Sequence, residues 1–157
     1  MRRRRNWGII AIIALLVALL AITISHRQWR RFSWVEIGDQ RYRVVLSVTS
    51  EERQQGLSDR DRIGADGMLF INPTREQSQF WMYHMKFPLD FVWIADGKVV
   101  DLHQNVPAPT GENDIVRLQP VQPADMVIEF PSGTIGRENI TIGTRVNRVL
   151  NWYFSLW

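Results

Sequence analysis

From Trp7 to Ile24 the chain reads W-G-I-I-A-I-I-A-L-L-V-A-L-L-A-I-T-I, eighteen residues of which sixteen are apolar, with no charge and no proline. A helix of this length rises about 27 Å, close to the roughly 30 Å hydrocarbon core of a bilayer. Helices of soluble cores usually keep a polar face, whereas lipid demands apolar side chains all round. The segment predicts a single transmembrane helix over residues 7–25, between a basic leader (1–6) and a juxtamembrane linker (26–35). A cleaved secretory signal is the alternative, but its apolar region is shorter, about 7–15 residues, and ends in a small-x-small site. Here Ala21-x-Thr23 and Thr23-x-Ser25 are poor sites, so a retained signal anchor is expected. The chain has no cysteine, which excludes a lipoprotein anchor, a disulfide framework and thiol chemistry.

Charge divides the chain at the same place. Residues 1–31 hold seven arginines and no acid, while residues 32–157 hold twelve basic and sixteen acidic residues, a net of −4. The net +3 of the whole is therefore a basic stem added to an acidic domain, and nucleic-acid binding is not expected of that domain. Four arginines precede the apolar run and three follow it, so the positive-inside rule only slightly favours an inward N-terminus. A short leader before a first span is nevertheless the usual signal-anchor layout. The expected location is the membrane, single-pass, with the C-terminal domain extracytoplasmic, on the periplasmic or cell-surface side.

Beyond the linker the pattern is mostly of period two. Tyr42, Val44, Leu46 and Val48 share one face of a strand. Gly38-Asp39 marks a turn from a preceding strand over Trp34–Ile37. Thr49 and Glu52 form a capping box that opens a short helix ending at Gly56. Met68–Ile71, Phe80–Met85, Asp90–Ile94, Lys98–Leu102, Met126–Phe130 and Val146–Phe154 read as strands, with Asp96-Gly97 as a two-residue hairpin turn. Residues 104–125, with four of the seven prolines, read as a long loop. The expected fold class is mainly β: an antiparallel jelly-roll-like sandwich or barrel with one short helix, preceded by the single transmembrane helix.

Four ordered motifs carry a resemblance: G-L-S-D-R (Gly56–Arg60), D-G-M-L-F (Asp66–Phe70), F-W-M (Phe80–Met82) and P-L-D (Pro88–Asp90), with I-E-F-P-S-G (Ile128–Gly133) in support. Together they make the chain similar to domain-of-unknown-function family 192 over residues 36–148, leaving residues 149–157 as an aromatic tail. The resemblance implies a compact β fold, often exported behind a signal or anchor, and no established reaction. Three positions depart from the family's pattern. His84 and Met85 stand where an amide and a threonine are usual, and Ser58 stands where methionine is common.

Several residues are candidates for chemistry. Regular alternation puts Trp81, Tyr83, Met85 and Phe87 on one strand face, an array that could receive a flat ligand or form half of a core. With Asp96 and Gly97 as loop residues, the hairpin register places Asp90 opposite His103. That pair would suit a hydrolase or isomerase, or a structural hydrogen bond at the strand end. Met68, Met82, Met85 and His84 raise a soft-ligand copper site, although Met85 points away from Met82 and His84 on a regular strand. Arg60 and Glu129 match the family's motif positions, and an internal clasp between them is the expected arrangement. The candidate ligand-binding residues are thus Trp81, His84, Arg60 and Glu129, and the weak catalytic candidates Asp90 and His103. No metal or cofactor is expected. The expected partners are the lipid bilayer through residues 7–25 and a small ligand or envelope protein.

Overall fold

The computed structural model describes residues 10–20, 32–111 and 114–149. The chain divides into two units, residues 1–31 and residues 32–157. In the first, residues 10–20 form a helix, α1, whose large apolar side chains are all exposed, from Leu19 at 50% to Leu15 at 61%. No helix among the described residues is long and apolar enough to cross a membrane. The remainder of the expected 7–25 span lies outside the described residues.

The second unit contains β1 (Phe32–Ile37), β2 (Gln40–Ser47), α2 (Ser50–Gln55), β3 (Gly67–Glu76), β4 (Phe80–Trp81), β5 (Leu89–Ala95), β6 (Lys98–Val106), β7 (Arg117–Leu118), β8 (Ala124–Pro131), α3 (Thr134–Arg137) and β9 (Val146–Val149). Seven strands make one sheet in the order β6-β5-β8-β3-β2-β1-β9, and β4 pairs with β7 in a second, small sheet. The large sheet curls until its edges meet. Lys98 bridges Arg145, and the Val146 amide donates to the Gly97 carbonyl at 2.8 Å.

Alternation along each strand sorts the core into two layers. Tyr42, Val44, Leu69, Val92, Ile128 and Phe130 point to one face, where Val99 and Val146 from the two edge strands join them. Met68, Phe70, Phe91, Trp93 and Val127 point to the other, which is covered by Leu57, Met82, Met85 and Leu118 from the loops and the small sheet. With both faces covered, β5 is buried along its whole length, which explains why it reads as a continuous apolar run. Gly67 is fixed by space: a Cβ there would lie 2.9 Å from the Glu129 carbonyl and 2.9 Å from the Phe130 ring.

The mainly β expectation holds, but the all-antiparallel one is corrected. β2 and β3 run parallel, joined through α2. Such a pair needs a crossover of about a dozen residues or more, and the segment from Val48 to Asp66 supplies it. A second helix, α3, follows the P-S-G turn. The first strand begins at Phe32, so the last residues of the expected 26–35 linker belong to the sheet. The expected strand Phe80–Met85 stops after Trp81, because His84 sits at φ 55°, in the left-handed region. Of the expected Val146–Phe154 strand, residues 146–149 are described and the rest lies outside the described residues.

Candidate functional site

The hairpin register is the first correction to the candidate residues. Ala95 pairs with Lys98 and Ile94 with Val99, but Trp93 then pairs with Asp101 and Phe91 with His103. Val100 is the extra residue of a bulge, which shifts the register by one and exchanges the faces of the residues beyond it. Asp90 and His103 are therefore not opposite. The Asp90 carboxyl group is fully buried and accepts from the Asn105 amide at 2.7 Å and from the Ile135 amide at 2.8 Å. It ties the end of the β5–β6 hairpin to the first turn of α3. His103 Nδ1 accepts from the Trp93 indole N–H at 2.9 Å, so Nδ1 is the nitrogen without a proton. Neither residue has the partner that the proposed acid–base pair needs.

Regular alternation over Phe80–Phe87 fails because the strand ends at Trp81 and a turn follows. Trp81 and Tyr83 are exposed, at 44% and 45%, whereas Met82 and Met85 are both buried and enter the core layer with Met68. His84 stays at the surface, stacked on Tyr83 with ring centroids 3.8 Å apart. Its Nδ1 lies 3.4 Å from an Asp59 carboxylate oxygen. The soft-ligand set thus splits, with three methionines in the apolar layer and the imidazole outside it. Among the described residues no three histidine, cysteine or acidic side chains converge as a metal site.

Glu129 is the exceptional residue. Parity along β8 puts it on the same face as Val127, flanked in the sheet by Met68 of β3 and Phe91 of β5. Its side chain is 5% exposed, and Oε2 has no hydrogen-bond partner. Burial pushes its pKa up to about 8, with the Arg60 guanidinium opposing part of that rise. The expected clasp is not closed: Arg60 is near enough to act through its charge, but it makes no ion pair with Glu129 among the described residues.

Glu129 lines a cavity of about 320 Å³ beneath the C-terminal end of α2, walled by Phe70, Phe80, Trp81 and Met85. Polar groups enter from Asn72 and Glu76 on β3 and from the α2 glutamines. Gly56 sits at φ 48°, and a Cβ there would lie 3.4 Å from the Phe70 ring. A second, outer groove shares Gln54, Gln55, Ser58 and Trp81 with this cavity and adds Tyr83 and His84. Trp81 is therefore common to both, with Glu129 on the inner floor and His84 at the outer rim. The segment after α2 is tied to that rim: Ser58 Oγ donates to the Tyr83 carbonyl at 2.9 Å, and the Asp59 amide donates to the His84 carbonyl at 3.0 Å. Ser58 and His84, both departures from the family pattern, thus lie on the two segments that these bonds join. The sequence marked Glu129 as an acid in an apolar strand; the cavity and the missing partner depend on packing between distant segments.

Two crystal structures have the same fold. One is a protein from Sinorhizobium meliloti 1021 described as a candidate transcription regulator, with TM-score 0.66, 28% identity, and coverage of 74% of this chain and 93% of that one. The other is a protein of unknown function from Novosphingobium aromaticivorans DSM 12444, with TM-score 0.65, 27% identity, and coverage of 74% and 84%. A search of curated proteins gives no match. Residues 33–148 match the model of the DUF192 family, an uncharacterized ACR, and the chain belongs to that family.

Proposed function

We propose that the β domain is a small-ligand-binding module whose site is the cavity between Glu129 and Trp81. The observations that carry this reading are the place of Glu129 on the lining of an aromatic-walled cavity and the buried Oε2 of the same carboxyl group, which has no hydrogen-bond partner. A group in that condition lowers stability, and perturbed acids of this kind concentrate at functional sites. The cavity volume is within the range of small-molecule sites, roughly 300–1,000 Å³. An exposed indole beside it offers a ring a stacking surface. Compounds that bind in a ligand-observed NMR screen against the full chain are expected to weaken by about tenfold in Trp81→Ala. Binders indifferent to both Trp81→Ala and Glu129→Gln would contradict the site.

We also propose that residues 7–25 hold the domain at a membrane, on its extracytoplasmic side. The uncharged apolar run between two arginine clusters supports this, as does α1, apolar and exposed on all its faces. An alkaline phosphatase reporter fused after Trp157 is expected to be active; a silent fusion, with activity from a cytoplasmic reporter at the same point, would reverse the orientation. The regulator description of the Sinorhizobium protein is not carried over, because residues 32–157 have a net charge of −4.

A further inference from the structure

We infer that the cavity takes a small organic cation, an amidinium, guanidinium or ammonium group borne on a flat ring, with Glu129 as its counter-ion and Trp81 as the wall for the ring. This inference rests on the binding reading above and narrows it to one ligand class.

The charged groups around Glu129 show what is missing from the site. From α2 comes Arg53, whose guanidinium already donates to the Val48 and Ile71 carbonyls. From β3 comes Glu76, which accepts from Ser78 Oγ at 2.8 Å. From the segment after α2 comes Arg60, which lowers the Glu129 pKa without pairing with it. β4 carries no charged residue, and the one acid of β5, Asp90, is bonded to Asn105 and Ile135 instead. Glu129 therefore has acceptor capacity that no described cation uses. The outer groove adds Glu51 and Asp59 against Arg117, so that with Arg53, Glu76 and Arg60 the charged groups around the site balance.

A ring-borne cation meets both halves of the site. Its N–H groups satisfy a carboxylate in surroundings where charge pairs are weakly screened. Its ring, or the charge itself, lies against tryptophan, the aromatic side chain with the strongest attraction for cations. A neutral ring would stack and share a hydrogen bond but would not pair with the carboxylate charge.

Binding of this class moves one proton. In the free protein at neutral pH Glu129 holds its proton, because burial pushes its pKa to about 8. When the cation enters, the carboxyl O–H bond breaks, the proton passes to solvent, and N–H···O⁻ bonds replace it. The cation keeps its own charge throughout, so the complex gains one positive charge and releases one.

The test uses three near-isosteric probes with the full chain: benzamidinium, benzamide and benzoate. Titration calorimetry is run in phosphate and in Tris, whose ionisation heats differ. Benzamidinium is expected to bind best, to release close to one proton at pH 7, and to tighten about tenfold from pH 6 to pH 7. Glu129→Gln, which keeps the shape and removes the titration, is expected to abolish the proton release and the pH dependence. Benzamide or benzoate binding as tightly, with loss in Trp81→Ala, would overturn the cation class and leave the cavity reading standing. Proton release that persists in Glu129→Gln would overturn the assignment of Glu129 as counter-ion. Lack of binding by all three probes would also overturn the cation inference, while the Trp81 screen decides the cavity reading separately.

Discussion

Glu129→Gln is expected to make the protein more stable at pH 8, by on the order of 3–5 kcal/mol, and to leave its stability nearly unchanged at pH 4.5. The sign follows from where the proton sits. In the unfolded chain the carboxyl titrates near its ordinary value of 4.5, and in the folded protein near 8. Between these values the folded state holds a proton that the unfolded state has released. Stability therefore falls as pH rises through this window, by about 1.4 kcal/mol per unit. Below the window both states are protonated and the penalty vanishes; above it both are ionised and the penalty is constant. Glutamine keeps the size and polarity of the neutral acid without the titration. Urea unfolding of both proteins from pH 4.5 to pH 9 checks this, and parallel stability profiles would show that Glu129 does not titrate differently on folding.

Asp90→Ala acts in the opposite direction and at all pH values where the fold survives. It removes the acceptors of two amides, Asn105 N–H and Ile135 N–H, from a position with no exposure. Each buried donor left without a partner costs about 1–3 kcal/mol, so a loss of roughly 3–5 kcal/mol is expected, enough to unfold a marginal domain. Asp90→Asn keeps one acceptor oxygen and turns an amide N–H₂ toward the other donor, and should lose about half as much. Hydrogen exchange at Ile135 should accelerate in both variants. A loss below about 1 kcal/mol for Asp90→Ala would mean that water replaces the carboxyl group and that the residue does not pin α3.

These two acids show how far local patterns reach. Features set within a few residues were legible. The Thr49–Glu52 capping box forms, α2 ends at Gly56, and the turns at Gly38-Asp39 and Asp96-Gly97 close their hairpins. Tyr42, Val44 and Leu46 share a face as their spacing requires. A single extra residue, Val100, then defeats the register that the Asp96-Gly97 turn sets. Nothing in the residues around Val100 announces the bulge, and the expected Asp90–His103 pair is lost by it. The parallel β2–β3 pair was readable in principle, since a capped helix between two strands favours a crossover over a hairpin. His84 carried a further signal. The left-handed conformation is most tolerant of glycine, asparagine, aspartate and histidine, so the family's amide and this chain's imidazole suit the same backbone. That shared tolerance explains the exchange without assigning the two side chains one chemical role.

Of the site, the residue types were visible and their arrangement was not. Trp81, His84, Arg60 and Glu129 stood out as aromatic, titratable or motif-matching residues. Their placement depends on how α2, the small β4–β7 sheet and the segment after α2 pack over one face of the large sheet. That packing brings Trp81 and Glu129 to one cavity, holds His84 at its outer rim, and leaves Arg60 short of the clasp. An apolar strand with one acid predicts that the acid needs a partner. Only the folded arrangement shows that the acid lines a cavity and that its Oε2 is left without a partner.

Glu129 is buried on the lining of a cavity, and that burial holds it uncharged at neutral pH. The most direct test of this claim is a titration of the Glu129 side-chain carboxyl carbon by ¹³C NMR in the full chain, assigned by its absence in Glu129→Gln. A midpoint near 8 is expected, because burial disfavours the charged form. A midpoint near the ordinary 4.5 would show that the carboxyl group is solvated or paired in solution, and would contradict the claim.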